Sequence, residues 1–218
     1  MNELYQRNKN FFNLYAVWGL ISITALIIWN KAELFFFING NRSAWADVFY
    51  APATHLGDGL FFIALIVFLL FIKYRYALMG VAAYALSSAV TQSLKRIVFH
   101  EPRPAKFFEG IQEVQTVNGT ELYMMNSFPS GHATTVFAIA CLCSLIVTNK
   151  RWQPVFLVLA IFSALSRLYL GQHFFADITL GGFIGTCSAT VCVYWLSKPQ
   201  KNWMEDCLLN KLSNKKHE

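Results

Sequence analysis

Residues 154–196 read PVFLVLAIFSALSRLYLGQHFFADITLGGFIGTCSATVCVYWL. Within this stretch, residues 154–171 and 174–196 form two apolar runs that are separated only by a short polar break. Each run is close to the roughly 20 apolar residues that an α-helix needs to cross the hydrocarbon core of a bilayer. The stretch therefore predicts two adjacent transmembrane helices.

Four further apolar runs precede this pair, at residues 13–29, 59–72, 77–94 and 131–148. The run at 59–72 is short for a span, so we expect it either to extend back toward Leu56 or to let Lys73 and Arg75 snorkel to the interface. The whole chain has 56% hydrophobic and only 14% charged residues, whereas about a quarter of a typical soluble domain is charged. This composition excludes a soluble globule and a disordered chain. We predict one all-α membrane domain over residues 1–218, a bundle of six transmembrane helices.

The distribution of charge predicts the orientation of this bundle. In a six-span chain, most basic residues at the segment ends fall on one side, which the positive-inside rule makes cytoplasmic. These residues are Arg7, Lys9, Lys73, Arg75, Lys150, Arg151, Lys198, Lys201, Lys211, Lys215 and Lys216. We therefore expect both termini in the cytoplasm. The short chain without an added soluble domain is typical of a bacterial protein, so the expected location is a bacterial inner membrane. The net charge of +6 is spread between apolar runs, so we expect no nucleic-acid partner.

Two connections on the opposite side are long enough to have their own structure. Residues 34–49 combine apolar side chains at helical spacing with Arg42 and Asp47, which is typical of an interfacial helix. Residues 105–128 have mixed polarity and predict an outer loop. Leu56-Gly57-Asp58-Gly59 precedes the second apolar run and is interpreted as a turn of the chain, in which Asp58 is a helix cap.

Polar groups from three separate segments are expected at this same outer face. They are Lys95, Arg96 and Arg103, then Ser130, Gly131 and His132, and finally Arg167, His173 and Asp177. Ionisable groups at or inside spans are costly, and several together favour a functional site over simple anchoring.

The residue types in these segments point to phosphate chemistry. Ser130 is a plausible N-cap, so the N–H groups of Gly131 and His132 would open a helix that favours an anion. Arginine forks match phosphate oxygens. His173 and Asp177 are four residues apart on one helical face, so the carboxylate can fix the tautomer of the imidazole. His132 could act as general acid, and phosphoryl transfer is the reaction that this set favours.

The same residues could instead bind a metal ion, since His132, His173 and Asp177 are all possible ligands. Their surroundings are strongly cationic, and no acidic cluster accompanies them. We therefore predict catalysis without a metal ion or another cofactor.

Three ordered motifs resemble the signature of the type 2 phosphatidic acid phosphatase superfamily, K-x6-R-P, P-S-G-H and S-R-x5-H-x3-D. Pro129-Ser130-Gly131-His132 and Ser166-Arg167-x5-His173-x3-Asp177 match at every position. In the first motif Arg103-Pro104 matches, but the six-residue spacing places Arg96 where the family has lysine, and Lys95 lies one residue early. The matching core covers residues 95–177.

This resemblance implies an integral membrane enzyme that removes phosphate from a lipid phosphate or pyrophosphate at its non-cytoplasmic face. It implies His173 as the nucleophile that forms a phosphohistidine, Asp177 as its orienting partner and His132 as the acid. The phosphate-binding residues it implies are Lys95 or Arg96, Arg103, Ser130, Gly131 and Arg167. The expected partners are the bilayer and a lipid substrate such as undecaprenyl pyrophosphate, phosphatidylglycerol phosphate, phosphatidic acid or a lipid A phosphate.

Two other functions compete with hydrolysis. A membrane phosphotransferase would use the same phosphohistidine and pass the phosphoryl group to an acceptor lipid instead of water. A non-catalytic channel or lipid-binding protein is disfavoured, because it would have no need of the full set His132, His173 and Asp177. Soluble haloperoxidases related to the superfamily are disfavoured by the apolar spans.

Overall fold

The computed structural model describes residues 1–117, 119–198 and 201–210, and this part of the chain contains helices and loops but no strands. The ten α-helices are α1 (Asn2–Arg7), α2 (Lys9–Ile28), α3 (Lys31–Asn39), α4 (Ala44–Ala53), α5 (Gly59–Leu70), α6 (Tyr74–Ser93), α7 (Pro104–Phe107), α8 (Gly131–Ile146), α9 (Gln153–Tyr169) and α10 (Phe175–Leu196). Short 3-10 turns occupy Thr54–Gly57, Lys150–Trp152 and Asn202–Glu205, and a π turn occupies Leu94–Val98.

Each of the six apolar runs forms a helix, namely α2, α5, α6, α8, α9 and α10. Four helical stretches in the described residues are long and apolar enough to cross a membrane: Lys9–Ile28, Tyr74–Val98, Lys150–Tyr169 and Phe175–Leu196. The pair Ala44–Gly57 and Gly59–Leu70 would make a fifth crossing, bent by 60° at its break. Helix α8 is apolar but has only 16 residues. The chain is thus an all-helical membrane protein with four to five candidate spans of full length.

The segment before the second run differs from the prediction in two ways. The single interfacial helix predicted over residues 34–49 is divided into α3 and α4, because Asn30 caps the first helix and Ser43 caps the second. Helix α5 does not continue back toward Leu56, because the chain forms a 3-10 turn there and bends at Asp58. This bend brings Asp58 to the end of the bundle where α8 begins.

The core of the bundle is centred on α8, which packs most closely against α10. A Cβ atom added to Gly185 would lie 2.2 Å from the carbonyl oxygen of Thr134, and one added to Gly181 would lie 2.6 Å from that of Ser130. Such distances are far inside van der Waals contact. The two glycines therefore let the α10 backbone approach the beginning of α8, which holds the second and third motifs together.

At the end of the bundle opposite to the motifs, segments that were predicted to lie on the same side of the membrane contact each other. Lys150 Nζ donates to Asn8 Oδ1 at 2.8 Å, which ties the α8–α9 connection to the N-terminal segment. Lys73 Nζ lies 2.9 Å and Arg75 Nη2 lies 2.5 Å from the two carboxylate oxygens of Glu205. Lys211, Lys215 and Lys216 lie outside the described residues.

The outer loop 105–128 is fixed to the bundle at several points. Asn39 Nδ2 donates to the carbonyl oxygen of Gln115 at 2.8 Å, and the amide of Gln115 donates to Asn39 Oδ1 at 3.0 Å. Phe108 is buried against Phe35 and Phe174. These contacts hold the loop over the outer ends of α9 and α10.

Candidate active site

His173 and Asp177 form a buried pair where the loop after α9 enters α10. His173 Nδ1 lies 3.1 Å from Asp177 Oδ2, and both side chains are almost fully buried. The same carboxylate oxygen accepts from the amide of Phe174 at 2.9 Å and from Ser127 Oγ at 2.5 Å. An ionised carboxylate oxygen can only accept hydrogen bonds, so its neighbour Nδ1 must be the donor. The proton of a neutral imidazole therefore lies on Nδ1, and Nε2 keeps its lone pair.

Ser127 was missed by the sequence reasoning. It lies at the end of the outer loop, three residues before Ser130, and its side chain is completely buried. A lone serine in a loop carries no spacing signal that would link it to Asp177. The connection arises only because α10 packs against the start of α8, where the amide of Ser130 donates to the Asp177 carbonyl oxygen at 3.0 Å.

The surroundings of His173 keep its ring neutral. Burial lowers the pKa of His173 well below its ordinary value, and the nearby cations Arg103, Lys95 and Arg167 lower this pKa further. A neutral imidazole with Nδ1–H directed to a carboxylate has its Nε2 free to act as a nucleophile or base.

The first turn of α8 has the geometry of an anion site. Ser130 is the N-cap, and its hydroxyl accepts from the amide of Ala133 at 3.4 Å. The N–H groups of Gly131 and His132 have no acceptor within the described part of the chain. The space where a Gly131 side chain would be is empty to 4 Å. An oxyanion could therefore approach these two donors directly.

Two arginines from different segments reach the same place. Arg167, near the end of α9, is 6% exposed; its Nη1 donates to Thr54 Oγ1, while its Nε is buried without a hydrogen-bond partner. Arg103 Nη1 donates to the carbonyl oxygen of Gln172 at 3.3 Å and to its Oε1 at 3.1 Å. The Nε atom of Arg103 donates to the Met125 carbonyl oxygen at 3.0 Å. These bonds hold both guanidinium groups beside His173.

Lys95 and Arg96 occupy different environments. Lys95 is 8% exposed and interacts electrostatically with Arg103, Asp177 and Arg167, whereas Arg96 is exposed. The π turn Leu94–Val98 is closed by the amide of Phe99, which donates to the Leu94 carbonyl oxygen five residues earlier at 2.8 Å. Such a turn contains one residue more than an α-turn. It therefore brings Lys95 to the site although Lys95 is one residue early in the motif.

His132 contacts a residue that was interpreted as a helix cap. Asp58 occupies the N-cap position of α5, but its side chain makes no capping hydrogen bond. Instead, its Oδ1 lies 2.8 Å from His132 Nε2 and its Oδ2 lies 2.8 Å from His55 Nδ1. The capping interpretation is wrong, because the bend between α4 and α5 directs this carboxylate toward α8.

A cavity of about 210 Å³ opens beside His132. It is lined by polar side chains of α6, among them Ser88, Thr91 and Gln92, together with Gly131 and His132. No group of three or more His, Cys, Asp or Glu side chains in the described ranges is placed to hold a metal ion. The donors near His173 and at the start of α8 are instead cations and N–H groups, which suit an oxyanion.

Comparison with known proteins gives the chain a family context. The profile of the PAP2 superfamily matches residues 75–201, which is more than half of the chain. The chain is 31% identical to a lipid A 4'-phosphatase from Bacteroides thetaiotaomicron over 161 residues, covering 70% of this chain and 71% of the relative. It is 40% identical to the putative undecaprenyl-diphosphatase YbjG of Escherichia coli over 72 residues, covering 30% and 34% of the two chains.

Two solved structures are similar in fold. The crystal structure of Aquifex aeolicus LpxE superposes with a TM-score of 0.68 at 27% identity and covers 75% of this chain and 94% of that one. A PAP2-type phosphatidylglycerolphosphate phosphatase from Bacillus subtilis gives a TM-score of 0.64 at 20% identity, covering 91% and 99%. The second likeness concerns the fold alone.

Proposed function

Because this chain belongs to the PAP2 superfamily of lipid phosphatases, we propose that it hydrolyses a lipid phosphate through a phosphohistidine at His173, without a metal ion. It is an integral membrane enzyme of the lipid phosphatase class. The nucleophile, the substrate and the orientation in the membrane are the parts proposed here.

The observation that carries this proposal is a group of three cations, of which Lys95 and Arg167 are buried and Arg103 is half-buried, with no described carboxylate in an ion pair with any of them. Lys95, Arg103 and Arg167 surround His173, and none of them forms an ion pair with a carboxylate among the described residues. Burying a charge is costly unless a partner compensates it. A phosphate group in contact with these side chains and with the N–H groups of α8 would supply the missing negative charge.

In the first half-reaction, His173 Nε2 attacks the phosphorus atom. The bond from phosphorus to the lipid oxygen breaks, and a proton from His132 goes to the leaving oxygen. Asp177 stabilises the charge that develops on the His173 ring. The cations neutralise the charge on the non-bridging oxygens in the transition state.

In the second half-reaction, water attacks the phosphorus atom of the phosphohistidine. His132, now neutral, takes a proton from that water, and the bond from phosphorus to nitrogen breaks. Inorganic phosphate leaves, and His132 is protonated again, so that protons balance over one turnover.

A lipid A phosphate is the substrate that we propose first. Two relatives named as lipid A 4'-phosphatases, from Bacteroides thetaiotaomicron and Porphyromonas gingivalis, each align with about 70% of this chain at 31% and 30% identity. An undecaprenyl pyrophosphate is the second candidate, since a relative named as a putative undecaprenyl-diphosphatase is 40% identical to this chain over 72 residues. Both substrates present a phosphate next to an apolar tail.

We further propose that the site faces the periplasm of a bacterial inner membrane. The basic residues at the opposite end of α6, α8, α9 and α10 support a cytoplasmic position for that end and for both termini. In this orientation all six apolar helices cross the bilayer, with the short α8 beginning below the outer surface.

The test is release of inorganic phosphate by detergent-purified protein in excess EDTA. The substrates are a lipid A phosphate, undecaprenyl pyrophosphate, phosphatidylglycerol phosphate and phosphatidic acid, and His173→Ala is assayed alongside. We expect release that survives EDTA, is greatest for a lipid A phosphate and is lost in His173→Ala, while His100→Ala, an exposed histidine outside the site, retains activity.

Other outcomes would contradict parts of this proposal. Activity that EDTA abolishes would overturn the metal-free mechanism. Phosphate loss from the lipid only when an acceptor lipid is added, without release of inorganic phosphate, would identify a phosphotransferase instead.

A further inference from the structure

A second His–Asp pair lies across the site from His173 and Asp177. Asp58 Oδ1 is 2.8 Å from His132 Nε2, and Asp58 Oδ2 is 2.8 Å from His55 Nδ1. The carboxylate therefore joins an exposed histidine to the histidine at the start of α8. None of the three sequence motifs contains Asp58 or His55.

The backbone before Asp58 lies unusually close to the first turn of α8. A Cβ atom on Gly57 would lie 2.8 Å from the His132 carbonyl oxygen and 3.1 Å from the His132 Cβ atom. Only glycine allows the turn Thr54–Gly57 to lie this close to the first turn of α8. The close approach places the next residue, Asp58, against the imidazole of His132.

The side chain of Asp58 contacts His132 and does not cap α5. A residue at the N-cap position usually accepts a hydrogen bond from the backbone of its own helix, but the Asp58 side chain makes none. Both of its oxygens are instead directed to imidazoles. This arrangement fixes the rotamer of the carboxylate from two sides.

From this geometry we propose that Asp58 is the positioning residue of the general acid: it orients the ring of His132 and stabilises its protonated form through Nε2, which leaves Nδ1 to donate to the leaving oxygen. The inference rests on the proposed function, in which His132 is that acid. Asp58 contacts His132 as Asp177 contacts His173, and in both pairs the carboxylate favours positive charge on the ring. At His173 this charge develops when Nε2 attacks phosphorus, whereas at His132 it is the proton that the acid delivers.

Other charged and titratable groups that face His132 make such a partner necessary. They are Arg167 from α9, Arg103 from the outer loop, His173 from the loop before α10 and Tyr84 from α6. Burial disfavours an imidazolium most, and the two arginines add like-charge repulsion. Asp58 is the carboxylate in contact with the ring that opposes this repulsion. His55 fixes the second oxygen of Asp58, so it supports the same geometry from the exposed side.

The proposed role of Asp58 concerns the proton that His132 transfers to the leaving group. Two substrates whose leaving groups differ in their need for that proton therefore test it. When a lipid alcohol leaves, its oxygen needs the proton from His132 as the bond to phosphorus breaks. When 4-nitrophenyl phosphate reacts, the phenolate is stable enough to leave without that proton. Weakening the acid should therefore slow the first reaction far more than the second.

The experiment compares wild-type protein with Asp58→Asn on a lipid phosphate and on 4-nitrophenyl phosphate. We expect kcat for the lipid to fall by about 10- to 100-fold and kcat for 4-nitrophenyl phosphate to fall by less than about 3-fold. The alkaline limb of the lipid pH profile should move to lower pH, because the imidazolium loses its carboxylate. Asp58→Glu keeps the charge and should restore part of this limb. Glu3 is an exposed carboxylate near the N-terminus, so Glu3→Gln should leave kcat unchanged for both substrates.

Equal losses on both substrates, or no loss on either, would overturn the role of Asp58. A folding defect in Asp58→Asn would reduce both activities together, and Asp58→Glu then decides: in an active Asp58→Glu protein, a loss of equal size on the two substrates also contradicts the proposal. If wild-type protein releases no phosphate, or if His173→Ala retains it, the proposed function itself fails, and this inference fails with it.

Discussion

The Oδ2 atom of Asp177 lies 3.1 Å from Nδ1 of His173, one helical turn earlier, and both residues are buried beneath the outer loop. The carboxylate accepts further hydrogen bonds from Ser127 and from the amide of Phe174. A single oxygen thereby fixes the tautomer and the orientation of the proposed nucleophile.

Asp177→Asn should leave the protein folded and lower kcat by about 2 to 4 orders of magnitude, by analogy with the carboxylate of a catalytic triad. An amide cannot hold the proton on Nδ1 as a carboxylate does, so Nε2 loses the lone pair that attacks phosphorus. Steady-state kinetics on the preferred lipid should show little change in KM. A variant that keeps more than about a tenth of wild-type kcat would show that this carboxylate does not orient the nucleophile.

The acid limb of kcat/KM should lie below pH 6.5, the ordinary pKa of a histidine being about 6.5. Burial, reinforced by Arg103, Lys95 and Arg167, lowers the pKa of His173, so the ring stays neutral until the pH falls below that ordinary value. Activity is then present above the lowered pKa and lost as the pH falls through it. The measurement is a pH–rate profile from about pH 4 to 8, with the folded fraction checked at each pH by size-exclusion chromatography. A limb at or above pH 6.5 would contradict the assigned environment of His173.

Lys95→Ala and Arg96→Ala form a matched pair of neighbouring cations. Lys95 is buried beside the site and Arg96 is exposed, so only the loss of Lys95 should weaken transition-state binding. A charge-assisted hydrogen bond contributes about 1.5 to 3 kcal/mol, which corresponds to a loss of about 10- to 100-fold in kcat/KM for Lys95→Ala. Arg96→Ala should stay within about 3-fold of wild type. The reverse order of effects would mean that Arg96 is the phosphate ligand.

Gly185→Ala should destabilise the bundle, because the added Cβ would lie 2.2 Å from the backbone oxygen of Thr134. Overpacking of this kind costs about 1 to 3 kcal/mol. Gly19→Ala in α2 is the control, since a Cβ there meets nothing within 4 Å. Thermal unfolding in detergent should show a lower Tm for Gly185→Ala and an unchanged or higher Tm for Gly19→Ala. Equal Tm values for the two variants would show that α8 and α10 are not in such close contact.

Most of the helices could be predicted from the sequence, because long apolar runs such as 174–196 have few alternatives in a membrane protein. The boundaries differ by a few residues, as at α10, which begins at Phe175. A turn at residues 56–59 could be predicted from the glycines on either side of Asp58, but the angle of the bend and the direction of the Asp58 side chain could not.

The site was predictable only where spacing within one helix determines distance. The separation of four residues placed His173 beside Asp177 correctly. The contacts of Ser127 with Asp177 and of Asp58 with His132 join residues that are 50 and 74 positions apart, and they depend on how α5, α8 and α10 pack. The choice between Lys95 and Arg96 depended on the π turn, which the motif spacing alone does not indicate.

The most direct test of the central claim is to trap the covalent intermediate. Wild-type protein is mixed with radiolabelled lipid phosphate in excess EDTA, quenched in base within the first turnover, and mapped by mass spectrometry of its peptides. We predict base-stable, acid-labile phosphate on His173, and none in the matched His173→Ala protein. Turnover without any label on the protein, or label on a different residue, would contradict His173 as the nucleophile.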